Sequence, residues 1–188
     1  TSRWAAKAMT YPLRDRSRGS GRKVLELGSG TGSVTVKILA DMREGDELTV
    51  CEINPRLMET LKRILTENHH FRRHKDRVRF MCCAAQDLPE DRKYDVVVCA
   101  LPFLNFDVHT VRQIFSKLTK VSSGHTLMTN YEYIGLRPLG KIISRKERRR
   151  RLYRLDRFFK KVAPTLVDTR RVWLNVLPIH IYTRRLAA

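Results

Sequence analysis

The stretch Val24-Leu25-Glu26-Leu27-Gly28-Ser29-Gly30-Thr31-Gly32 carries an apolar run into a glycine-rich bend. Ser33–Met42 follows, with Val34, Ile38 and Leu39 on one helical face. That order predicts a strand, a tight turn and a helix. Glycines in such a turn let the backbone reverse sharply and let a ligand lie against bare peptide, which a Cβ would block. The next apolar run, Glu47–Glu52, ends in an acid 20 residues after Gly32. An acid so placed can take both hydroxyls of an adenosine ribose.

Working outward, strand and helix patterns alternate along the whole chain. Trp4–Leu13 reads as a short helix before a polar stretch, Arg14–Arg22. A helix opens at Pro55, where a first-turn proline is tolerated, and runs to about Asn68. Arg77–Cys83 and Tyr94–Ala100 read as strands, the second an unbroken apolar run of the kind buried in parallel sheets. Val108–Lys120 reads as a helix, His125–Asn130 as a strand, Ser144–Val162 as a long basic helix, and Leu166–Leu174 and Pro178–Tyr182 as closing strands. The last two have little between them and should pair antiparallel. The expectation is a single α/β domain over residues 1–188, residues 1–20 being a lead-in. It is Rossmann-like, with a mostly parallel seven-stranded sheet, an antiparallel C-terminal strand pair and helices on both faces. The chain opens on Thr1 and enters helix-like sequence by Arg3–Met9, so an upstream segment is expected.

The charge is unusual. Lys and Arg number 38 against 19 acids, a formal net charge of +19 over 188 residues. Such an excess calls for a polyanionic partner, either nucleic acid or an anionic membrane surface. Cys51, Cys82, Cys83 and Cys99 fall in apolar, strand-like runs without zinc-type spacing. They are expected to be reduced core residues, as in a cytosolic protein, and no metal site is expected. No apolar run approaches the roughly 18–20 residues that span a bilayer.

A dinucleotide turn normally reads GxGxxG, with its third glycine one turn into the helix, and Ser33 occupies that position. Glu26 would repel a pyrophosphate and suits a cofactor that presents an ammonium. With these residues in hand, "VLELGSGTG" followed by "CEINP" resembles motif I and the acidic loop of class I S-adenosylmethionine-dependent methyltransferases. The resemblance implies that Glu26, Gly28, Ser29, Gly30, Thr31 and Gly32 line the methionine and ribose of S-adenosylmethionine, with S-adenosylhomocysteine as product. It also implies that Glu52 holds the ribose, with Ile53 and Ala100 beside it. Ala84 stands where that superfamily commonly has an adenine-contacting acid, so adenine contact falls to Ala85 and Gln86.

The acceptor should meet the cofactor at the carboxyl end of the fourth strand, Cys99-Ala100-Leu101-Pro102-Phe103-Leu104-Asn105-Phe106. Ribosomal-RNA adenine dimethylases carry Asn-Leu-Pro-Tyr/Phe, and the "ALPF" here lacks that Asn. Bacterial phospholipid N-methyltransferases carry a Gly/Ala-Leu-Pro version. Thr1–Met9 also resembles their lead-in, and Arg171–Tyr182 their final strand pair. That resemblance implies an N-methyltransferase acting on phosphatidylethanolamine or an ornithine-type aminolipid, with an RNA adenine N6-methyltransferase as the other reading.

Leu101, Pro102, Asn105, Tyr131 and Tyr133 are the candidate catalytic residues. The tyrosines are expected just after the fifth strand, where they either cradle an ammonium or merely pack. Asp107 is equally placed to accept a proton or to cap a helix. His109 and His180 are read as helix-start and strand residues. Lys141–Lys161 holds 11 Lys/Arg in 21 residues, with Leu152, Leu155, Phe159 and Val162 as an inner stripe. Arg145, Lys146, Arg148, Arg149, Arg150, Arg151 and Arg154 are the expected membrane contacts. The expected enzyme is a monomer, peripheral on the inner face of the cytoplasmic membrane.

Overall fold

The computed structural model describes residues 1–186 apart from Arg16, Arg18, Ser20 and Ser144. The helices are α1 (Arg3–Met9), α2 (Tyr11–Arg14), α3 (Ser33–Asp41), α4 (Pro55–Thr66), α5 (His69–His74), α6 (Val108–Lys120), α7 (Leu136–Ile143) and α8 (Lys146–Lys161). The strands are β1 (Lys23–Leu27), β2 (Glu47–Cys51), β3 (Val78–Met81), β4 (Tyr94–Cys99), β5 (Ser122–Tyr133), β6 (Leu166–Val172) and β7 (Ile179–Leu186). They form one sheet in the order β3-β2-β1-β4-β5-β7-β6. β1 to β5 run parallel, and β7 is antiparallel to both β5 and β6. The expected fold class is therefore what is found.

Alternate residues of each central strand enter opposite apolar layers. Val24, Val50, Val96 and Val98 face α1, α3 and α4 through Met9, Ile38, Leu39 and Leu61. Leu25, Leu27, Val97 and Cys99 face α6 and α8 through Ile114, Phe115, Leu118, Leu155 and Phe159. Each fully buried side chain of this size contributes about 1.5–3 kcal/mol, so both faces hold the sheet.

Several expectations need correction. The first helix is two, broken at Thr10, with Pro12 in the first turn of α2. The helix from Pro55 ends at Thr66, and a second begins after Asn68, whose side chain accepts from the Phe71 amide at 3.1 Å. The basic helix starts at Lys146, the expected Ser144 lying outside the described residues. A separate helix, α7, precedes it, hidden in the sequence by Gly135, Pro138 and Gly140. β5 is twice as long as expected at its two ends. At its start the pairing with β4 jumps between Tyr94 and Val96, and the Thr126 hydroxyl donates to the Tyr94 carbonyl at 2.6 Å. At its far end Tyr131 and Tyr133 pair with Ile181 and Ile179, so the tyrosines lie inside the strand rather than after it. Cys82 is exposed and Cys83 half-buried, both past the end of β3, so only Cys51 and Cys99 are buried core thiols.

Candidate active site

Strand order reverses between β1 and β4, and at such a switch point the connections leave toward opposite faces and open a crevice at the carboxyl edge. The glycine turn follows β1 into this crevice. Gly28 has φ +74°, and a Cβ there would stand 2.8 Å from Leu101 Cδ2; Gly32 has φ +93°, and a Cβ there would stand 2.4 Å from Leu61 Cδ1. Larger residues are excluded at both positions by backbone conformation and by contact.

Glu52 clamps the turn from below. Its carboxylate accepts the Gly30 amide at 2.9 Å and the Asn54 amide at 3.0 Å, and it is buried. Glu26 lies on the same face of β1 as Val24, with no exposed surface. Among the described residues neither of its oxygens has a hydrogen-bond partner. Burial raises its pKa to about 8; the nearby Thr35 hydroxyl opposes the rise and the charge on Glu52 adds to it.

A cavity of about 320 Å³ opens beside the turn. Of the expected cofactor residues it is lined by Gly28, Glu52, Ile53, Ala85, Gln86 and Ala100. Ser29, Gly30, Thr31, Gly32 and Glu26 do not line it: they form the turn and the buried layer beneath. Leu101, expected at the reaction, lines this cavity and packs against Gly28 instead. Sequence reasoning missed Cys83, Phe106, Thr110 and Ile114, which close the far wall. Asp107 caps α6, accepting from the amides of His109 at 2.8 Å and Thr110 at 3.0 Å. The Thr110 hydroxyl, donating at 2.7 Å, and those amides hold its carboxyl below the usual range.

Pro102 is shared with a second cavity, of about 100 Å³. It brings together Asn105, Tyr131, Glu132, Tyr133, Leu136 and Arg148. The tyrosine rings meet edge-on with centroids 5.5 Å apart, and burial raises the Tyr131 phenol to about 12. It stays a neutral hydroxyl through the physiological range. From Glu132 in its wall an ion-pair chain leads away through α7 and α8: Glu132 to Arg137, Arg137 to Asp156 and Asp156 to Lys141. Of the basic-helix residues expected at a membrane, Arg145, Lys146, Arg148, Arg149, Arg150 and Arg154 are exposed. Arg151 is not free for that role. It is half-buried and donates to the Leu104 and Asn105 carbonyls, each at 3.4 Å, fixing the cavity's rim. Arg148 reaches the cavity itself.

A glycine turn at the switch point, an acid just after β2 and a cavity between them define a Rossmann-like enzyme domain built for an adenosine cofactor. The model of the methyltransferase domain family matches residues 24–123, more than half of the chain, and the chain belongs to that family. S-adenosylmethionine is its methyl donor and S-adenosylhomocysteine the product. The cradle fits: the bare backbone at Gly28 and the carboxylate of Glu52 line the cavity as an adenosine ribose needs, and the unpartnered acid Glu26 is buried beneath the turn. No curated protein sequence matches. The fold is similar to that of an O-methyltransferase from Bacillus cereus solved with S-adenosylhomocysteine. Identity is 15%, coverage 98% of this chain and 82% of that one, and TM-score 0.68. It is also similar to the N-methyltransferase NodS from Bradyrhizobium japonicum, at 15% identity, 98% and 97% coverage and TM-score 0.65. No helix among the described residues is long and apolar enough to cross a membrane.

Proposed function

We propose that the chain methylates the primary amine of a membrane aminolipid, with phosphatidylethanolamine the leading acceptor and an ornithine-type lipid the next. The observation that supports this reading most is the second cavity, where two tyrosines, an asparagine and an arginine stand beside the cofactor cavity. Its size suits a headgroup rather than a whole ligand, since pockets for entire small molecules start near roughly 300 Å³. Bound in the larger cavity, S-adenosylmethionine supplies a methyl group on a sulfonium, open to attack by a neutral nitrogen. The chain's part is to hold that nitrogen in line and dry. The Asn105 side-chain oxygen and the Pro102 carbonyl are the acceptors available for amine hydrogens. The faces of Tyr131 and Tyr133 favour the cationic methylated product by about 0.5–2 kcal/mol per contact. Arg148 would pair with the phosphate or carboxylate next to the amine, and the exposed arginines of α8 with anionic neighbours in the bilayer.

Incubation with labelled S-adenosylmethionine, aminolipids and RNA, then extraction into organic solvent, tests the assignment. Label is expected in the lipid phase, and label confined to the aqueous RNA fraction would overturn it. Within the lipid reading, Arg148→Ala should raise KM for phosphatidylethanolamine about tenfold at nearly unchanged kcat, the effect of one solvent-accessible charge-assisted contact. An unchanged KM would remove Arg148 from headgroup recognition.

Glu26 is proposed as the counter-ion of the cofactor's ammonium. Its folded pKa is about 8, above the ordinary 4.5, so the stability it lends as the protonated form is full below 4.5 and is lost as the pH rises through about 8. An ammonium beside it favours the carboxylate, so binding at pH 7 should release a proton. Titration calorimetry in two buffers of different ionisation enthalpy should detect that proton with the native chain and not with Glu26→Gln. Equal release by both would dismiss the role.

A further inference from the structure

The connection between β6 and β7, Trp173-Leu174-Asn175-Val176-Leu177-Pro178, has a composition opposite to that of a solvated hairpin turn. Such turns use glycine, asparagine and aspartate for their backbone shape, and a loop facing water has no reason to carry four large apolar side chains. Here Trp173 is 63% exposed, Leu174 65%, Val176 98% and Leu177 47%. The loop is nonetheless shaped from within. The Asn175 side chain donates to the Leu177 carbonyl at 3.0 Å and accepts from the Ser2 amide at 3.0 Å, while the Pro178 carbonyl accepts from the Ile134 amide at 2.8 Å. Polar groups point inward and the apolar side chains outward.

Its position matters as much as its composition. Ile179, the first residue of β7, pairs with Tyr133, the last of β5, so the tip projects from the carboxyl edge beside the acceptor cavity. Trp4, 41% exposed, sits two residues from the Ser2 anchor, with the Arg3 guanidinium 4.9 Å from its ring centre. Arg171 is exposed two residues before Trp173 and Arg3 is exposed beside the Ser2 anchor, while Glu132, which faces His180 from β5, is paired with Arg137. An apolar tip flanked by the exposed cations Arg171 and Arg3 is complementary to an apolar layer edged with anions. Tryptophan, with an apolar body and a polar edge, suits that boundary.

We propose that this tip is a membrane wedge: it inserts to the headgroup–acyl boundary of an anionic bilayer and brings the acceptor cavity down onto the lipid surface. The inference rests on the aminolipid reading for its purpose, but its test is separate. The chain has two tryptophans, so Trp4→Phe leaves Trp173 as the sole reporter. With vesicles of phosphatidylethanolamine and phosphatidylglycerol, Trp173 emission should shift to the blue and be quenched by lipids brominated near the headgroup end of the acyl chain. Leu174→Glu with Val176→Glu should lower vesicle partitioning about 100-fold, since a charge at such a boundary replaces a buried apolar side chain twice. That double variant should still bind S-adenosylmethionine and methylate a short-chain phosphatidylethanolamine dispersed in detergent. Trp173 emission unchanged while the protein sediments with vesicles would overturn the wedge and leave the arginines as the contact. Emission already blue without vesicles would overturn it too, by showing the tip covered by a second copy or by another part of the chain. Failure of the aminolipid reading looks different: quenched Trp173 with no aminolipid methylated in either form.

Discussion

Glu52→Ala should weaken S-adenosylmethionine binding about 100-fold, the largest loss expected from a single side chain at the cofactor site. Two effects add. The carboxylate holds the turn by accepting the amides of Gly30 and Asn54 at 2.9 and 3.0 Å, and it borders the cavity where the ribose hydroxyls would find an acceptor. Hydrogen bonds to a charged group contribute about 1.5–3 kcal/mol each, and a factor of 100 needs about 2.7. Losing the ribose contact and part of the turn's order reaches that figure without any other residue moving. Glu52→Gln keeps one carbonyl oxygen and should lose only about tenfold, since half of the acceptor capacity survives. Titration calorimetry with S-adenosylhomocysteine measures both. Affinity of the alanine variant within about threefold of native would mean that the cofactor does not use this acid.

The contrast between the two cavities shows what kind of information a linear sequence holds. The glycine turn and Glu52 were legible because they are local: positive φ at Gly28 and Gly32 requires glycine whatever surrounds it, and a strand-ending acid beside that turn has one neighbour to face. The parallel sheet was legible for a similar reason, since Val96–Cys99 can only be buried on both faces. The second cavity depends on pairings that sequence spacing does not encode. Tyr131 and Tyr133 were expected beyond the strand because the apolar run read as strand stops at Asn130; pairing with Ile181 and Ile179 of β7 extends β5 over them. Arg148 and Arg151 looked alike in a run of four arginines. Only the packing of α8 on the turn after β4 sends Arg151 to the Leu104 and Asn105 carbonyls and Arg148 to the cavity. Helix α7 was hidden because Gly135, Pro138 and Gly140 read as breakers, whereas the ion pairs of Arg137 and Lys141 with Asp156 tie it to α8.

The same limit applies to the strongest structural prediction, which concerns two residues 24 positions apart that nothing in the sequence links. Arg22, just before β1, is 3% exposed and Asp46, just before β2, has no exposed surface. Arg22 Nη2 lies 2.6 Å from Asp46 Oδ2 and Nε 3.2 Å from Oδ1, while the amides of Arg22 and Arg43 donate to the same carboxylate, each at 2.9 Å. Arg22 Nη1 continues to the Leu13 carbonyl at 2.7 Å, tying the lead-in to the sheet. Every oxygen of the acid is used, so its removal orphans a buried guanidinium and two amides together. Asp46→Ala should therefore cost about 3–5 kcal/mol, the usual consequence of breaking a buried pair from one side. Burial alone would raise the Asp46 pKa. The Arg22 guanidinium and the two amides outweigh it and leave the carboxyl below its ordinary value near 3.8. A depressed carboxylate contributes its stability above the unfolded value and loses it as the pH falls through the lower folded one. Urea unfolding should then show the full difference between native and Asp46→Asn at pH 7, and a shrinking one only below about pH 3.8. A difference under about 1 kcal/mol at pH 7 would mean that the pair is no better than its exposed counterparts on this surface. A difference that shrinks already between pH 6 and 5 would place the titration on some other group.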